Sequence, residues 1–451
     1  MFDKRILMPH QYFYPHMNLI TDRCSGGQAN KILNRIKTYE GKKRNAMIYI
    51  HVPYCDSKCN FCGFDKQYNY ETTEVYIDKL IQELELYSSE IFTVDSIHFG
   101  GGTPTLLNGK QLKRILSCIR KNYSLTDDVC IHVEGSCTSL YREDIIQFIL
   151  DEKIARVSTG IQTFYQPLRE LFAQKATLDE VYLTLETLKK NHIIVHGDIL
   201  YGYPCFPQLE KEDDIVFSDV KEAIRMGLDG IDFSPVFPYS NRLEKTMQEY
   251  SVSVPSVERM DEIMLQGNRL MESAGYEHQT YYCYVKRGKI IMESNYYGGW
   301  HEIPDCIAVG SGSFGNICGF KYRNHSFNYY MMGNLPCHLQ LKELSSLELE
   351  NMRVVGWPKL FCLSKNLLTE RSYEQIRPAM EFLMERGAVI EQADAYVLSE
   401  EAKYYADNIY FMMLPEHERK IIEKQLKILV YERENKENNA NILWNKGSWR
   451  R

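Results

Sequence analysis

The sequence lacks any long hydrophobic run, because no uninterrupted apolar stretch reaches the roughly 18 residues that a membrane-spanning helix needs. Its first residues, MFDKRILMPHQYF, contain neither a long apolar segment nor a small-residue cleavage site, so we predict no secretory signal peptide. The chain also lacks internal repeats of fixed period and low-complexity tracts. Together these absences predict a cytoplasmic protein without a membrane span.

Positive charge is not in excess. The 53 Lys and Arg residues are outnumbered by 60 Asp and Glu residues, which gives a net charge of −7 at pH 7. Nucleic-acid-binding surfaces are usually strongly basic, so we predict no nucleic-acid partner. Hydrophobic residues make up 44% of the chain and charged residues 25%, as is usual for a globular enzyme. A chain of 451 residues is long enough for one large domain and a smaller one.

Six strand-like segments alternate with helix-like segments between residues 46 and 238. The strands are predicted at 46–53, 94–101, 129–136, 155–163, 193–202 and 230–238, and the helices between them at 72–91, 111–123, 178–192 and 217–227. This alternation is typical of a parallel sheet covered by helices, and right-handed crossovers curl such a sheet into a barrel. We therefore predict an α/β fold with a partial (β/α)6 TIM-like barrel.

The alternation stops after about residue 240. Residues 257–275 are predicted to be helical, 278–335 are rich in Tyr and Gly, and 388–399 form a short β-like piece among helices. The last of these patterns favours a small α+β, winged-helix-like domain. The predicted division is an N-terminal extension at 1–45, the barrel with additional strands at 46–335, the small domain at 336–430 and a polar tail at 431–451.

Three of the 13 cysteines differ from the rest. Most lie singly in apolar segments, where a free thiol is usually a small buried hydrophobe. Cys55, Cys59 and Cys62 instead form a CxxxCxxC motif directly after the first predicted strand. Thiolates ligate iron–sulfur clusters, and three of them leave one iron of a cubane open to a further ligand such as S-adenosylmethionine (SAM). The alternatives are a structural zinc site, with His51 within reach as a fourth ligand, and three unrelated cysteines.

Glycine and polar residues end the next four predicted strands, on the side where parallel barrels bind ligands. Gly100–Gly102 and Thr103 end the second strand, and Glu134, Gln162 and Asp198 end the third, fourth and fifth. Glycines let a ligand approach the backbone closely. For the glycines a tight turn is the alternative, and for each carboxylate a loop cap.

The motif series resembles the HemN-like radical SAM family. The resemblance rests on YIHVPYC (49–55) and CNFCGF (59–64) and runs from about residue 46 to about 410. It implies a [4Fe-4S] cluster on Cys55, Cys59 and Cys62, the use of two SAM molecules, and a HemN-type C-terminal domain. The segment from Gly310 to Gly315 resembles the loop that closes over the second SAM, although a glycine-rich turn is the alternative. By this resemblance the cofactor-binding residues are Tyr49, Phe64, Gly101, Gly102, Thr103, Glu134, Gln162, Asp198, Gly310 and Gly312.

Several departures narrow the resemblance. Phe64 stands where HemN has a fourth cysteine, and residues 294–300 lack the histidine of the heme-binding motif of the chaperone HemW. Gln174 stands where the family has an arginine, and Arg169 is near but shifted. The Cys-Gly-Phe ending and the pair Gly26–Gly27 resemble the ChuW/HutW group of anaerobic heme-degrading radical SAM methyltransferases.

That group implies a radical from one SAM, a methyl group from the other, opening of the porphyrin with release of iron, and an electron donor such as flavodoxin or ferredoxin. A class C methyltransferase acting on another heterocycle, oxygen-independent coproporphyrinogen III dehydrogenase and a HemW-like heme chaperone remain as alternatives. The Tyr-rich stretch 275–288 is either an aromatic wall of the pocket with a hydrogen donor or simple packing. His278 and His301 are possible heme contacts that we leave outside the predicted site.

Overall fold

Six parallel strands that follow one another in chain order form the centre of the largest sheet. The structure, a computed structural model, describes Tyr14, Cys24, residues 30–236, 241–288 and 305–420, and Ile422. Each of the six strands pairs in parallel with the next. They are β1 (Arg44–Val52), β2 (Phe92–Gly101), β3 (Ser124–Gly135), β4 (Arg156–Gln162), β5 (Val195–Tyr201) and β6 (Gly230–Pro235). This is the predicted α/β fold, and it is consistent with a partial barrel.

Helices precede β1, connect the strands and follow β6. They are α1 (Lys31–Lys37), α2 (Thr73–Tyr87), α3 (Gly109–Asn122), α4 (Glu143–Asp151), α5 (Gln166–Leu171), α6 (Leu178–Lys190), α7 (Glu212–Arg225), α8 (Asn241–Glu249) and α9 (Val257–Ser273). Reciprocal capping boxes start α3 at Asn108 and α6 at Thr177, which explains why both helices could be predicted. The short helices α1, α4, α5 and α8 were not predicted. Each has fewer than three turns, so its apolar residues recur too few times to show a helical period.

Further strands extend both edges of the parallel sheet. β7 (Tyr276–Thr280) and β8 (Cys283–Lys286) form an antiparallel hairpin beside β6. On the other edge β9 (Asp305–Val309) runs parallel to β1. Beyond it lie three antiparallel strands and a short helix, namely β10 (Phe314–Ile317), β11 (Phe320–Asn324), α10 (Phe327–Met332) and β12 (His338–Glu343). The sheet thus has twelve strands among the described residues.

The C-terminal part has a three-stranded sheet and a hydrophobic cluster of its own. Its elements are α11 (Ser346–Val355), β13 (Cys362–Ser364), α12 (Glu370–Glu385), β14 (Val389–Glu391), β15 (Ala395–Leu398), α13 (Glu400–Lys403) and α14 (Ala406–Met413). The β-like piece at 388–399 is the hairpin β14–β15. The division into domains stays a prediction, and β12 still pairs with the large sheet beyond the predicted boundary at 336. Within the described ranges, no helix is long and apolar enough to cross a bilayer.

An ion pair fastens β9 to the start of β1. Asp305 is 3% exposed and accepts hydrogen bonds from Arg44 Nη2 at 3.0 Å and from the Cys318 backbone N–H at 3.0 Å. The hydrogen bond to Asp305 raises the pKa of Arg44 above its ordinary value, so the guanidinium stays charged. The pair therefore secures β9, the strand that leads into the downstream glycine loop.

We expect Asp305→Ala to destabilise the protein by about 3 kcal/mol, because it leaves a half-buried guanidinium without this carboxylate. Asp78→Ala is the matched control. Asp78 is 53% exposed and pairs with Arg114, so its loss should change the free energy of unfolding by less than about 0.5 kcal/mol. Chemical denaturation of the two variants and the parent measures both values, and equal effects would contradict the role of Asp305.

Candidate functional site

The three cysteines of the motif lie in the loop that follows β1. This loop folds back on its own start, because the Cys55 N–H donates to Gln67 O at 3.0 Å and the Gln67 N–H donates to Pro53 O at 2.9 Å. Cys55 is buried, whereas Cys59 and Cys62 are partly exposed. The Cys62 N–H also approaches Cys59 O at 3.4 Å, which places the last two cysteines on one turn. The loop, called the cysteine loop below, thus gathers three thiols at the carboxyl end of β1.

The loops after β3 and β4 hold the cysteine loop in place. The buried Asp56 carboxylate accepts a hydrogen bond from Thr138 Oγ1 at 2.8 Å and lies 3.3 Å from Lys175 Nζ. The Asn60 N–H donates to Phe172 O at 2.9 Å. These contacts join the cysteine loop to two other strand ends, which fixes the thiols relative to the mouth of the barrel.

The electrostatics around the thiols favour a negatively charged group. Burial raises the pKa of the Cys59 thiol, and the Lys66 ammonium opposes that rise. Burial alone would lower the pKa of Lys66, but the thiolates of Cys62, Cys55 and Cys59 outweigh it and raise that pKa above its ordinary value. In addition, Thr103 Oγ1 approaches Cys55 Sγ at 3.4 Å. A cation and a hydroxyl therefore face the sulfurs, and both stabilise negative charge there.

The spacing of the three sulfurs disfavours a single zinc ion. Among the described residues, the one group of three His, Cys or carboxylate ligands with all donor atoms within 4.8 Å lies elsewhere. Sulfurs around a tetrahedral zinc are only about 3.8 Å apart, given a Zn–S bond of about 2.3 Å. His51 Nδ1 is also engaged, since it lies 3.2 Å from Tyr49 Oη. The three thiols are therefore not arranged around a single ion.

The glycines that end β2 pack against the root of the cysteine loop. A Cβ on Gly102 would lie 2.4 Å from Tyr54 O, and one on Gly101 would lie 2.8 Å from the imidazole of His51. Gly101 also has a φ of +111°, which side chains rarely adopt. The Gly102 N–H donates to Val52 O at 2.7 Å. Only glycine fits here, because the backbone of Tyr54 and the ring of His51 leave no room for a Cβ.

Glu134, Tyr49 and the glycine segment meet at one place. The Gly101 N–H donates to Glu134 Oε2 at 3.2 Å, and His98 Nε2 lies 2.8 Å from Glu134 Oε1. A Cβ on Gly100 would lie 3.0 Å from the Tyr49 ring and 3.1 Å from Glu134 Oε1. The Glu134 side chain is 39% exposed. The Gly101 N–H and His98 thus hold the Glu134 carboxylate, which stays partly exposed and accessible to a ligand.

Gln162 and Asp198 form a second pair at the same end of the barrel. Gln162 has a φ of +69°, and its Oε1 is buried without a hydrogen-bond partner in the described part of the chain. A Cβ on Gly160 would lie 2.3 Å from Gln162 Nε2 and 3.8 Å from Asp198 Oδ2. A strained backbone and an unsatisfied buried acceptor are typical of a ligand site.

Arg169 does not replace the family's arginine. Its guanidinium is buried and donates to Ile161 O at 2.9 Å, Thr163 O at 2.8 Å and Ala176 O at 2.6 Å. It therefore braces the loop after β4 rather than facing a ligand carboxylate. Gln174, which stands at the family's arginine position, approaches Ile161 O at 3.4 Å through its Nε2.

The glycine loop after β9 reaches the carboxyl end of β1. Gly310 has a φ of +98°, and a Cβ there would lie 2.6 Å from His51 O. Gly312 has a φ of +71° and faces open space. The Gly310 N–H donates to the buried Glu83 carboxylate at 2.8 Å. Sequence reasoning missed Glu83, although a glutamate on the apolar face of α2, beside Leu84, was a visible signal.

Other predicted features are packing residues or lie outside the site. Tyr281 Oη donates to Asp407 at 2.5 Å, and His278 stacks on Tyr284 with ring centroids 4.3 Å apart. These contacts favour the packing interpretation of the Tyr-rich stretch. Phe64 is 52% exposed beside the cysteine loop. Gly26–Gly27, residues 294–300 and His301 lie outside the described residues.

The comparisons with known proteins agree with this geometry. Residues 49–217 match the Radical SAM superfamily, a range that begins at Tyr49 and includes the cysteine loop and the strand ends just described. These residues form a radical SAM domain. The cofactors of such a domain are a [4Fe-4S] cluster and SAM, and the predicted resemblance to HemN-like proteins is confirmed.

The chain is similar to three known proteins whose names refer to heme-related compounds. It is 31% identical to anaerobilin synthase from Escherichia coli O157:H7 over 62% of this chain and 63% of that protein, so it spans less than two thirds of this relative's length. It is 24% identical to the heme chaperone HemW from Buchnera aphidicola over 81% of this chain and 98% of HemW. The solved structure of coproporphyrinogen III oxidase (HemN) from E. coli covers 89% of this chain and 96% of that chain, with a TM-score of 0.72 and 18% identity.

If the cysteine loop holds the cluster, anaerobically reconstituted protein should bind about four irons per chain. We expect Cys59→Ala to lose most of that iron, because the remaining two thiolates cannot hold a cubane. Cys118→Ala is the control, since this buried thiol lies in the hydrophobic core and its loss should leave iron content unchanged. Iron analysis of both variants gives the answer, and full retention in Cys59→Ala would rule out Cys59 as a ligand.

Proposed function

We propose that the protein is a HemN-like radical SAM enzyme that acts on heme, opens the porphyrin and releases iron. The observation that carries this proposal is the 31% identity to anaerobilin synthase, a higher identity than the 24% to HemW from Buchnera. Phe64 supports the proposal, because HemN, which oxidises coproporphyrinogen, has a fourth cysteine at that position. We further propose that a second SAM donates a methyl group during the reaction.

The residues of the site have distinct proposed roles. Cys55, Cys59 and Cys62 hold the cluster, and Gly101 and Gly102 let SAM approach the end of β2. Bound together, the reduced cluster and SAM supply a carbon-centred radical. Lys66 offsets the charge of the thiolates. The further SAM contacts that we propose are Tyr49, Phe64, Thr103, Glu134, Gln162, Asp198, Gly310 and Gly312.

A heme chaperone is the second candidate function. It is favoured by the extent of the match to HemW, which covers 98% of that protein although the identity is only 24%. A chaperone would bind heme and return it intact, whereas the proposed enzyme would consume it. Turnover therefore separates the two.

The first prediction here concerns SAM binding. A carboxylate at a strand end can accept hydrogen bonds from the amino group or ribose of SAM, and such charged bonds contribute ~1.5–3 kcal/mol. We expect Glu134→Gln and Asp198→Asn each to weaken SAM binding by roughly ten- to a hundredfold while the cluster stays. Equilibrium binding of labelled SAM and iron analysis measure both. A variant that binds SAM like the parent would show that its carboxylate is a loop cap.

The second prediction concerns the substrate. Reduced, reconstituted protein supplied with SAM and heme should lose the Soret band of heme and release iron, because ring opening breaks the porphyrin conjugation. If a methyl group is transferred, 5′-deoxyadenosine and S-adenosylhomocysteine should both form, since each SAM then has a different fate. Absorption spectra, a ferrous-iron assay and product chromatography test this.

The matched control is Cys59→Ala under the same conditions, which should leave the Soret band intact. Binding of heme without any change in the band would favour the chaperone. Deoxyadenosine without S-adenosylhomocysteine would remove the methyl transfer from the proposal while keeping the radical reaction.

A further inference from the structure

Below Glu134 the interior of the barrel contains a row of hydrogen-bonded basic side chains. They point inward from adjacent strands, with His98 on β2, His132 on β3 and Arg156 on β4, in register with one another. We propose that His98 is a positioning residue, which fixes the Glu134 carboxylate for SAM, and that His132 and Arg156 hold the His98 ring in place. This inference rests on the proposed contact between Glu134 and SAM.

Arg156 contacts both ring nitrogens of His132. Its Nη2 atom lies 3.2 Å from His132 Nδ1 and 3.5 Å from His132 Nε2. Burial and then Arg156 hold the pKa of His132 well below its ordinary value, so the ring is neutral. His132 Nε2 also lies 2.9 Å from Ser158 Oγ. These contacts from β4 fix the orientation of the His132 side chain.

His132 and Glu134 contact opposite sides of the His98 ring. His98 Nδ1 lies 3.2 Å from His132 Nδ1, and His98 Nε2 lies 2.8 Å from Glu134 Oε1. A carboxylate accepts only, so the second contact is a hydrogen bond when His98 Nε2 carries the hydrogen. His132 thus holds the ring from one side while Nε2 faces Glu134.

The result is a carboxylate held at both oxygens. His98 fixes Oε1, and the Gly101 N–H fixes Oε2 at 3.2 Å. Gly100 leaves room for the pair, since a Cβ there would lie 3.0 Å from His98 Nε2 and 3.1 Å from Glu134 Oε1. A carboxylate has about four acceptor positions, so lone pairs remain for a ligand at the exposed side. Holding a ligand-binding group in place before the ligand arrives lowers the entropy cost of binding.

The same row disfavours a metal ion at a nearby set of donor atoms. His196, Asp232 and Cys283 have donor atoms within 4.8 Å of one another. Arg156 Nη1, however, lies 3.3 Å from His196 Nδ1 and donates to it. A permanent cation thus already uses the lone pair that faces it, and its charge opposes a second cation.

Two substitutions of His98 test whether the donor to Glu134 matters more than the imidazole ring itself. In His98→Gln the amide nitrogen takes the place of Nε2 and still donates to Glu134. In His98→Asn the amide nitrogen takes the place of Nδ1 and does not reach Glu134. We expect His98→Asn to weaken SAM binding about tenfold and His98→Gln to stay within about threefold of the parent, as the loss of one charge-assisted hydrogen bond predicts. Binding of labelled SAM to reconstituted protein measures this, with iron content as the check of the cluster.

The decisive control is the Glu134→Gln background. If His98 acts through Glu134, His98→Asn should add no further loss there, whereas a structural defect would add its full effect. Equal losses for the Asn and Gln variants, an additive effect in that background, or parent-like binding by His98→Asn would each overturn the proposal. Parent-like binding by Glu134→Gln would instead refute the proposed SAM contact, and this inference with it. His192→Gln, at an exposed turn, should bind like the parent.

A second variant keeps the test decisive if His98→Asn loses iron. Ser158→Ala removes the hydrogen-bond partner of His132 Nε2 and leaves the side chains of His98 and Glu134 unchanged. We expect a two- to threefold loss of SAM affinity in the parent background and none in Glu134→Gln. Unchanged affinity in both backgrounds would show that the row beneath His98 does not act on the SAM site.

Discussion

The close approach of β2 to the root of the cysteine loop is the constraint on which the rest of the site depends. The backbone N–H of Gly102 donates to Val52 O at 2.7 Å, and that of Thr103 donates to Tyr54 O at 2.7 Å. These bonds join the end of β2 to the segment just before the first cysteine. A single methyl group at position 102 would clash with the Tyr54 carbonyl oxygen. The distance between the thiols and the residues at the end of β2 is therefore set by backbone contacts. Side-chain flexibility cannot change it, which suits a reaction that needs two cofactors in fixed contact.

The buried Glu83 carboxylate positions the glycine loop after β9. Burying its negative charge costs free energy of folding. Burial raises the pKa of Glu83 to about 7, above the ordinary 4.5. A carboxyl with a raised pKa binds its proton more tightly in the folded state, so its contribution to stability is greatest at low pH and declines as the pH rises from about 4.5 to about 7. Hydrogen bonds from the Gly310 N–H, Asn324 Nδ2 and Tyr330 Oη, at 2.8, 2.8 and 2.6 Å, offset part of that cost. The carboxylate ties α2, β11 and α10 to the loop, which no apolar residue could do.

The sequence allowed the parallel strands and the residues at their ends to be predicted, because both follow from local patterns. Buried strands give short apolar runs, and the proposed ligand-facing residues lie at their carboxyl ends, as Glu134 does near the end of β3. The row from His98 to Arg156 was not predictable in the same way. Each of these residues is a single polar side chain within a strand, and only the register of β2, β3 and β4 shows that they touch. Strand β9 was missed for a related reason, since its pairing with β1 joins residues more than 250 positions apart.

The barrel alone does not distinguish the heme-related relatives, since one radical SAM fold accommodates different reactions. The distinction must come from the mouth of the barrel, where the loops that follow the strands differ. There a cysteine in HemN is replaced by Phe64, whose ring is 52% exposed directly after the last cysteine of the motif. An exposed phenyl ring offers a flat apolar surface, and a porphyrin is a flat apolar macrocycle, so stacking between them is favourable. Phe64, proposed above as a SAM contact, thus also adds a surface of the kind that a tetrapyrrole substrate would contact.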